Sequence, residues 1–306
     1  MCKIPVVSIA RPRVPATRSE PRDIVELKRL RIDHPELADA VNLQLELIEL
    51  QRRVQARVPL PASLGDAEQR ARLAGGRPLV RFSDLPLEWS DLRLTLRATA
   101  DLLLRFGLMD LADHQALLKL TRDGHHLEPL VRRWFAASLE RRAPGPGAPG
   151  NAEGEPARPS PLDEDASRFD DVLSLAVKPF LSRCAEAWLA RTDLTGWQRG
   201  YCPLCAAEPD FAVLRIDGRR DLVCSRCGGM WPSSPQACPF CHNDDRLHLA
   251  SFASRDGPYR LTACDVCLRY VKAFDERIAD RPVLVSVDSI ATLPLDASAV
   301  QRGYRG

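Results

Sequence analysis

The first two thirds of the chain place apolar residues at helical spacing. The clearest stretch is 34–57, where Asp33 is the expected N-cap and Pro35 lies in the first turn. Two apolar ridges run along this stretch: Leu37, Val41, Leu45 and Ile48 form one, and Leu43, Leu47, Leu50 and Val54 form the other. Because a helix that is apolar on two sides must be covered on both, this pattern predicts a helix inside a bundle.

Four further helices are predicted, at 91–106, 111–122, 127–140 and 168–190. Ser90 is the expected cap of the first and Gly107 should end it, whereas the second follows Asp110 and should end near Gly124. The last helix carries one apolar face and an internal proline, Pro179; its face residues are Phe169, Val172, Ala176, Phe180, Cys184 and Trp188. We therefore expect a helical domain over 33–142 that is completed by 164–199.

Two segments lack this periodicity. Residues 1–32 are rich in proline and arginine and predict a flexible arm. Between Ala143 and Pro161 there are six prolines and four glycines, which predicts a linker or insertion over 143–163.

The last third changes to short strands. Residues 211–216 and 219–223 flank the Asp217-Gly218 turn, and 247–254 and 259–263 flank Asp256-Gly257. This internal repeat predicts one ribbon over 200–234 and a second over 235–306, the latter including a C-terminal tail. The expected fold class is α+β: a helical N-terminal bundle followed by two tandem small modules of the rubredoxin-like or zinc-ribbon kind.

Cysteines mark both ends of each predicted hairpin. Of the ten in the chain, eight form Cys-x-x-Cys pairs: Cys202/Cys205, Cys224/Cys227, Cys238/Cys241 and Cys264/Cys267. Two residues between cysteines let one backbone turn aim both sulfurs at a single point, and two such turns complete a four-thiolate metal site. The sequence therefore predicts two metal ions, each bound by four of these eight cysteines.

The hairpins also favour one way of combining the pairs. A turn at one end of a hairpin brings its two other ends together, so the first pair should meet the second, and the third should meet the fourth. The alternative joins the second pair to the third, which follows closely in sequence, and leaves the outer two pairs to combine. Short double ribbons of that kind exist, and spacing alone does not exclude them.

Metal binding is favoured over other cysteine chemistry. The N-terminal apolar run, Val6 to Ala10, is too short for the core of an export signal, so we expect a cytoplasmic location, where thiols stay reduced and disulfides are rare. A thioredoxin-like redox role would use one such pair and would not explain four. Zinc and a single iron suit four thiolates equally, whereas an iron–sulfur cluster usually has other spacings. A closed site leaves no position for substrate, so we expect no catalytic residue and no enzyme activity.

Other candidate residues receive structural interpretations. Cys238 to His242 matches the attachment motif of c-type haem, but that pair already has a predicted partner, and His242 should be exposed. Cys184 is expected to be a buried structural thiol, and Cys2 incidental. His125 and His126 are placed in a surface loop between helices. Trp231 and Tyr270 follow the second knuckle of each ribbon and are expected to cover its sulfurs.

Composition and charge restrict the kinds of partner that the chain is expected to bind. No run of residues is apolar and long enough to cross a membrane. Between Gly200 and Asp275, nine Lys and Arg face nine Asp and Glu. Two four-thiolate sites would add negative charge, so a nucleic-acid-binding zinc ribbon, the first alternative function, is disfavoured.

The chain resembles the FdhE type of formate dehydrogenase accessory protein. The resemblance covers most of the chain and includes the cysteine array, the stretch Arg29 to Leu37, the run Asp221 to Cys227 with Trp231, the run Cys264 to Lys272, and the tail Asp288 to Tyr304. The stretch 143–161 looks like an insertion, and Ala206 stands where the family commonly has glycine.

The resemblance implies a non-catalytic maturation factor. Such proteins bind iron through these cysteines in rubredoxin-like folds and associate with the catalytic subunit of respiratory formate dehydrogenase before its export. The expected cofactor is therefore iron, with zinc as the alternative, and the expected partner is that subunit, with no nucleic acid, membrane or small-molecule substrate. A rubredoxin-like electron carrier is the second alternative function.

Overall fold

A computed structural model describes residues 20–62, 64–140, 160–254 and 257–306, without the side chains of 139 and 140. Eight helices precede the sheet within these ranges, and two follow it. They are α1 (Arg22–Asp33), α2 (Ala38–Gln55), α3 (Asp66–Ala74), α4 (Trp89–Arg105), α5 (Leu111–Arg122), α6 (Gly124–Glu140), α7 (Pro161–Arg168), α8 (Asp170–Trp188), α9 (Val285–Ala291) and α10 (Leu293–Gln301). The strands are β1 (Pro209–Leu214), β2 (Arg220–Cys224), β3 (Met230–Ser233), β4 (Leu249–Ala253), β5 (Tyr259–Cys264) and β6 (Arg269–Asp275). In the parts of the chain so described, no helix has the length and apolar character needed to cross a membrane.

The two apolar ridges of α2 pack against different partners, as the sequence predicted. Leu47, Leu50 and Val54 lie in the main core, with α4, α6 and α8. Val41 and Ile48 lie in a second cluster with Leu27 of α1 and Val287 of α9. The helix is therefore covered on both sides.

The N-terminal prediction needs two corrections. Residues 22–32, expected in a flexible arm, belong to α1, whose buried Leu27 packs against α2 and α9. That contact is long-range, so local composition could not show it. Asp33 ends α1 instead of capping the next helix, and a short 3₁₀ turn at Pro35–Leu37 separates the two. The rest of the predicted arm, 1–19, lies outside the described residues.

Helix boundaries elsewhere follow the sequence with small shifts. The helix α5 follows Asp110, as predicted, and Asp110 caps it by accepting a hydrogen bond of 2.7 Å from the backbone of Asp113. Gly107 takes a left-handed φ of +71° just after α4. Ser90 lies inside α4 and does not cap it. The predicted face of α8, including Cys184, is buried.

Two further expectations change. His125 and His126 lie in the first turn of α6, because that helix already begins at Gly124; both side chains are exposed. Part of the predicted linker, 160–163, is ordered as the start of α7, where Ser160 and Asp163 form a capping box. The remainder, 143–159, lies outside the described residues.

The six strands form one sheet in the order β3-β2-β1-β6-β5-β4. Both predicted hairpins are present, as β1–β2 and β4–β5. Gly218 has a left-handed φ of +86° at the first turn, whereas Asp256 of the second turn lies outside the described residues. Each repeat adds a third strand, β3 or β6, that the sequence analysis missed.

The two repeats join through β1 and β6, which pair in parallel from Phe211↔Lys272 to Leu214↔Asp275. The two repeats therefore share one continuous sheet and are not separate modules. Whether each repeat folds like rubredoxin stays a prediction. The last helices pack back on this sheet, where Ala299 of α10 belongs to one apolar cluster with Leu261, Ala263 and Tyr270.

Candidate metal centres

The eight paired cysteines gather into two groups of four. The first group, site 1, comprises Cys202, Cys205, Cys224 and Cys227; the second, site 2, comprises Cys238, Cys241, Cys264 and Cys267. Within each group all sulfurs lie within 4.8 Å of one another. This is the sequential pairing favoured by the hairpins, and the alternative partition is not the one the structure adopts.

The sulfur separations fit a tetrahedral metal ion. In site 1 the distances are 3.6 Å for Cys202–Cys227 and 3.5 Å for Cys205–Cys224. In site 2, Cys238–Cys267 and Cys241–Cys264 are both 3.7 Å. A tetrahedron with metal–sulfur bonds of about 2.3 Å has edges of about 3.8 Å. A disulfide would need about 2.05 Å.

All four knuckles use the same backbone turn. The residue after the second cysteine of each pair is left-handed: Ala206 at φ 59°, Gly228 at 68°, His242 at 61° and Leu268 at 55°. Only glycine takes this conformation without strain, so three knuckles accept a backbone cost of about 1–2 kcal/mol each. Ala206 thus makes the turn that a glycine would make more easily.

Backbone N–H groups also point at the sulfurs of site 1. The amides of Leu204 and Cys227 donate to the sulfurs of Cys202 and Cys224, both at 3.4 Å. Gly229 donates to Cys227 at 3.3 Å. Such bonds favour the thiolate form that a metal requires.

Four close thiols resist ionising together without a cation. Hydrogen bonds from Cys202, Cys224 and Cys227 lower the pKa of the Cys205 thiol. Burial raises the pKa of Cys202 well above its ordinary value. A bound cation would favour the thiolate at every position, so this donor set suits a metal ion.

Site 1 is part of the main hydrophobic core. Its cysteines are at most 3% exposed and pack in the same cluster as the helices. The loop after α3 pairs with the first knuckle, because the Leu79 and Val80 amides donate to Pro203 and Leu204 at 2.8 and 2.9 Å. The helical half therefore encloses site 1.

Arg226, inside the second knuckle, anchors site 1 to the helices. Its guanidinium lies 3.9 Å from the ring centre of Trp134 and donates to Asp170 at 3.2 Å. From α8, Ser182 donates to the carbonyl of Cys227 at 3.1 Å. No room remains around Gly229, where a Cβ would lie 2.4 Å from Leu189 and 3.2 Å from the Cys227 sulfur.

Site 2 is more open to solvent. Cys238 and Cys264 are buried, whereas Cys267 is half-buried and Cys241 is exposed. His242 is exposed, as predicted. Three apolar side chains beside the fourth knuckle are also exposed: Leu247, Val266 and Leu268 at 88%, 58% and 49%. Reagents and proteins can therefore reach site 2 more directly than site 1.

The C-terminal tail clamps the fourth knuckle. Arg305 donates its backbone N–H to Leu268 at 2.9 Å and accepts from the amide of Tyr270 at 3.2 Å. The Tyr304 hydroxyl donates to Asp265, between the two cysteines, at 2.5 Å. These contacts place the tail residues of the sequence resemblance next to site 2.

An ion pair and a cation–π contact, both made by Arg269, connect the two sites. Arg269 forms a bidentate ion pair with Glu208 at 2.9 and 2.8 Å, and its guanidinium lies 3.8 Å from the ring centre of Phe240. Glu208 follows the first knuckle, and Phe240 is inside the third. Gly200 adds a close backbone contact, since a Cβ there would lie 1.6 Å from the carbonyl oxygen of Pro239. Local sequence patterns do not predict these contacts, because the partners are far apart in sequence.

The remaining candidates occupy structural positions. Burial raises the pKa of Cys184 to about 12, so this thiol stays protonated. Trp231 is buried in the same cluster as site 1, and its indole N–H donates to Arg199 at 3.1 Å. Tyr270 packs with Leu261 and donates its hydroxyl to Asp296 at 2.8 Å. That these rings shield the metals stays a prediction. Cys2 lies outside the described residues.

Several known proteins have sequences similar to this chain. No protein-family model matches the chain. A protein named FdhE homolog from Stutzerimonas stutzeri is 25% identical over 315 residues, covering 97% of this chain and 92% of the relative. An FdhE homolog from Erwinia tasmaniensis is 31% identical over 109 residues, covering 36% of this chain and 35% of the relative.

A solved structure extends the likeness to the fold. The crystal structure of the FdhE protein from Pseudomonas aeruginosa matches with a TM-score of 0.55 and 24% identity, covering 93% of this chain and 92% of that one. The two proteins therefore share a fold. Together with the relative that aligns almost end to end, this match confirms the resemblance suggested by the sequence motifs: the chain is similar to FdhE-type proteins along nearly its whole length.

Proposed function

We propose that this chain is an accessory protein that matures respiratory formate dehydrogenase in the cytoplasm and binds the catalytic subunit of that enzyme. The observation that carries the proposal is the similarity to FdhE-type proteins over 97% of the chain. The two groups of four cysteines support it, because they would give the protein two metal ions in closed ligand sets suited to structural or redox roles.

Site 2 is the more suitable of the two sites for contact with a partner. It combines an exposed ligand, Cys241, with three exposed apolar side chains, Leu247, Val266 and Leu268. Neighbouring exposed apolar residues are a common mark of protein contact surfaces. In this proposal the catalytic subunit rests on that rim, and site 1 holds the sheet to the helical half.

A deletion strain tests the function. Formate dehydrogenase activity should be low without the gene, return with the wild-type chain, and stay low when Cys224→Ser or Cys264→Ser is supplied. Cys184→Ala is the matched control, because it removes a buried cysteine outside both sites and should restore activity. Normal activity in the deletion strain would rule the proposal out.

A second experiment tests the partner and its surface. The wild-type chain should co-purify with the catalytic subunit, and the double variant Leu247→Asp/Val266→Asp should not. Leu60→Asp is the control, because Leu60 is 66% exposed and lies in the helical half. Equal co-purification of all three proteins would contradict a contact at site 2.

Iron is the metal we propose for both sites, on the basis of the family resemblance. The donor set accepts iron or zinc, so the metal must be measured. Protein purified without oxygen should contain about two metal ions per chain and, if they are ferric, absorb visible light through thiolate charge transfer. If the protein is colourless and contains two zinc ions, the metal is zinc and not iron, and the eight cysteines are still its ligands.

An electron-carrier role is the second candidate, and the exposure of Cys241 favours it. Electron transfer needs a metal close to the surface, and site 2 meets that requirement better than site 1. A reversible one-electron potential at site 2, together with reduction by a cellular donor, would support this role. A chain that matures formate dehydrogenase equally well with redox-inert zinc at both sites would exclude it.

A further inference from the structure

One face of the sheet carries a cavity of about 440 Å³ that the metal sites do not use. Its floor is formed by residues of four strands, among them the small residues Ala212, Ala273, Ser251 and Thr262 and the larger Leu214, Leu249 and Val271. A volume of this size is within the range of small-molecule pockets. The two hydroxyls of Ser251 and Thr262 are potential hydrogen-bond donors at its floor.

Among the residues that the structure describes, four arginines line this cavity: Arg220, Arg246, Arg260 and Arg277. No Asp, Glu or aromatic side chain is among the described residues that line it. Arg260 and Arg277 share a single buried carboxylate, Asp275, at 3.3 and 2.8 Å. That carboxylate lies outside the lining and holds the two guanidiniums in place.

The other two arginines have no carboxylate partner among the residues the structure describes. Arg246 is exposed and forms no ion pair with any residue that the structure describes. Arg220 is only 3% exposed; it donates to the Ser233 hydroxyl at 3.0 Å and to the Ala237 carbonyl at 2.8 Å. Its Nε has no hydrogen-bond partner within the described parts of the chain.

A buried guanidinium without a counter-charge is costly. Burial lowers the pKa of Arg220 to about 10, so the group stays charged at neutral pH. A thiolate at Cys238 would offset part of this charge. The positive charge of Arg246 is not offset. Arg260 and Arg277 together carry one positive charge more than the carboxylate of Asp275 balances. Among its described lining residues, the cavity therefore has more positive than negative charge.

We propose that this cavity binds a small molecule bearing a phosphate group. Arginine recognises phosphate through two parallel hydrogen bonds, and four arginines around one space can surround its oxygens. The described lining offers no ring on which a base could stack, so the ligand class is a phosphate ester without a required aromatic part. This inference does not depend on the proposed function.

Titration calorimetry with inorganic phosphate tests the proposal on the metal-loaded chain. Ionic strength is kept constant with chloride, because screening would otherwise change during the titration. We expect saturable binding at one site per chain. Arg246→Gln should weaken it about tenfold, the loss expected from one charge-assisted hydrogen bond. Arg246→Glu should abolish it, and both variants alter an exposed residue, so the fold should persist.

Arg70→Gln is the matched control, because it removes an exposed arginine from α3, far from the cavity in sequence. It should bind phosphate as the wild type does. Absence of saturable binding to the wild type, or equal binding by Arg246→Glu, would overturn the proposal. Displacement of phosphate by a glutamate-rich peptide that binds more tightly would also overturn it, and would assign the cavity to an acidic segment of a protein.

Discussion

The two metal sites should release their metal at very different rates. We consider the chain loaded with zinc at both sites and treated with an excess of a thiol-modifying reagent. Cys241 is exposed, so the reagent reaches site 2 in the folded protein. Site 1 has no exposed ligand, and the reagent can reach it only after local opening.

The difference can be calculated from the contacts that close site 1. Opening it breaks two backbone hydrogen bonds, from Leu79 and Val80 to the first knuckle, each worth about 1 kcal/mol. It also separates Arg226 from Trp134 and Asp170, which adds about 1–2 kcal/mol. A total of about 3–4 kcal/mol corresponds to a rate difference of more than about a hundredfold.

A chromogenic zinc indicator measures the release. The wild type should release one zinc rapidly and one slowly, in equal amounts. Cys241→Ser should remove only the fast phase, and Cys205→Ser only the slow one, with mass spectrometry locating the modified cysteines. Release of both ions in a single phase, or first modification at Cys205, would refute the reasoning from burial.

Three further predictions concern the sheet and the contacts that connect the two metal sites. Gly200→Ala should cost about 3 kcal/mol of unfolding free energy, because its Cβ would overlap the carbonyl oxygen of Pro239. Arg269→Gln should cost about 1 kcal/mol, since it removes the part-exposed ion pair with Glu208. Hydrogen bonds from Arg277 lower the pKa of Asp275, so its stabilising contribution is present above about pH 4 and is lost as the pH falls through that lowered pKa.

Each of these predictions has a matched control. Gly196→Ala should be neutral in denaturant unfolding, because nothing lies within 4 Å of its Cβ position; a loss equal to that of Gly200→Ala would contradict the first. Arg183→Gln removes an exposed pair with Glu186 and should cost less than Arg269→Gln. Asp275→Asn should lower the pH dependence of stability below pH 4, and an unchanged acid-unfolding curve would argue against the third.

Local patterns in the sequence predicted the features that depend on neighbouring residues. The two ridges of α2 predicted that it would be covered on both sides, because helical spacing determines which residues share a face. The pairing of the cysteines followed from hairpins whose turns and strands are adjacent in sequence. The α5 cap at Asp110 is equally local.

Features that depend on distant partners were missed or wrong. The sequence gives no local sign that Leu27 of α1 meets Val287 of α9, so 22–32 were wrongly expected in a flexible arm. Residues from different repeats also meet in three other places. These are the parallel pairing of β1 with β6, the ion pair of Arg269 with Glu208, and the four-arginine cavity. The exposure of Cys241 depends on the whole packing around site 2, which cysteine spacing does not determine.

The parallel pairing of β1 with β6 has a consequence for the order of folding. Each repeat can close its own antiparallel strands and its own sulfur group through local contacts. The central pair forms only after the whole second repeat has been brought back to the first, and such loop closure is slow. Until then β1 and β6 each have an unpaired edge, and unpaired edges recruit strands from other chains. Prompt metal capture by both repeats would shorten this interval, so a newly made chain short of metal is expected to aggregate more than a chain supplied with metal.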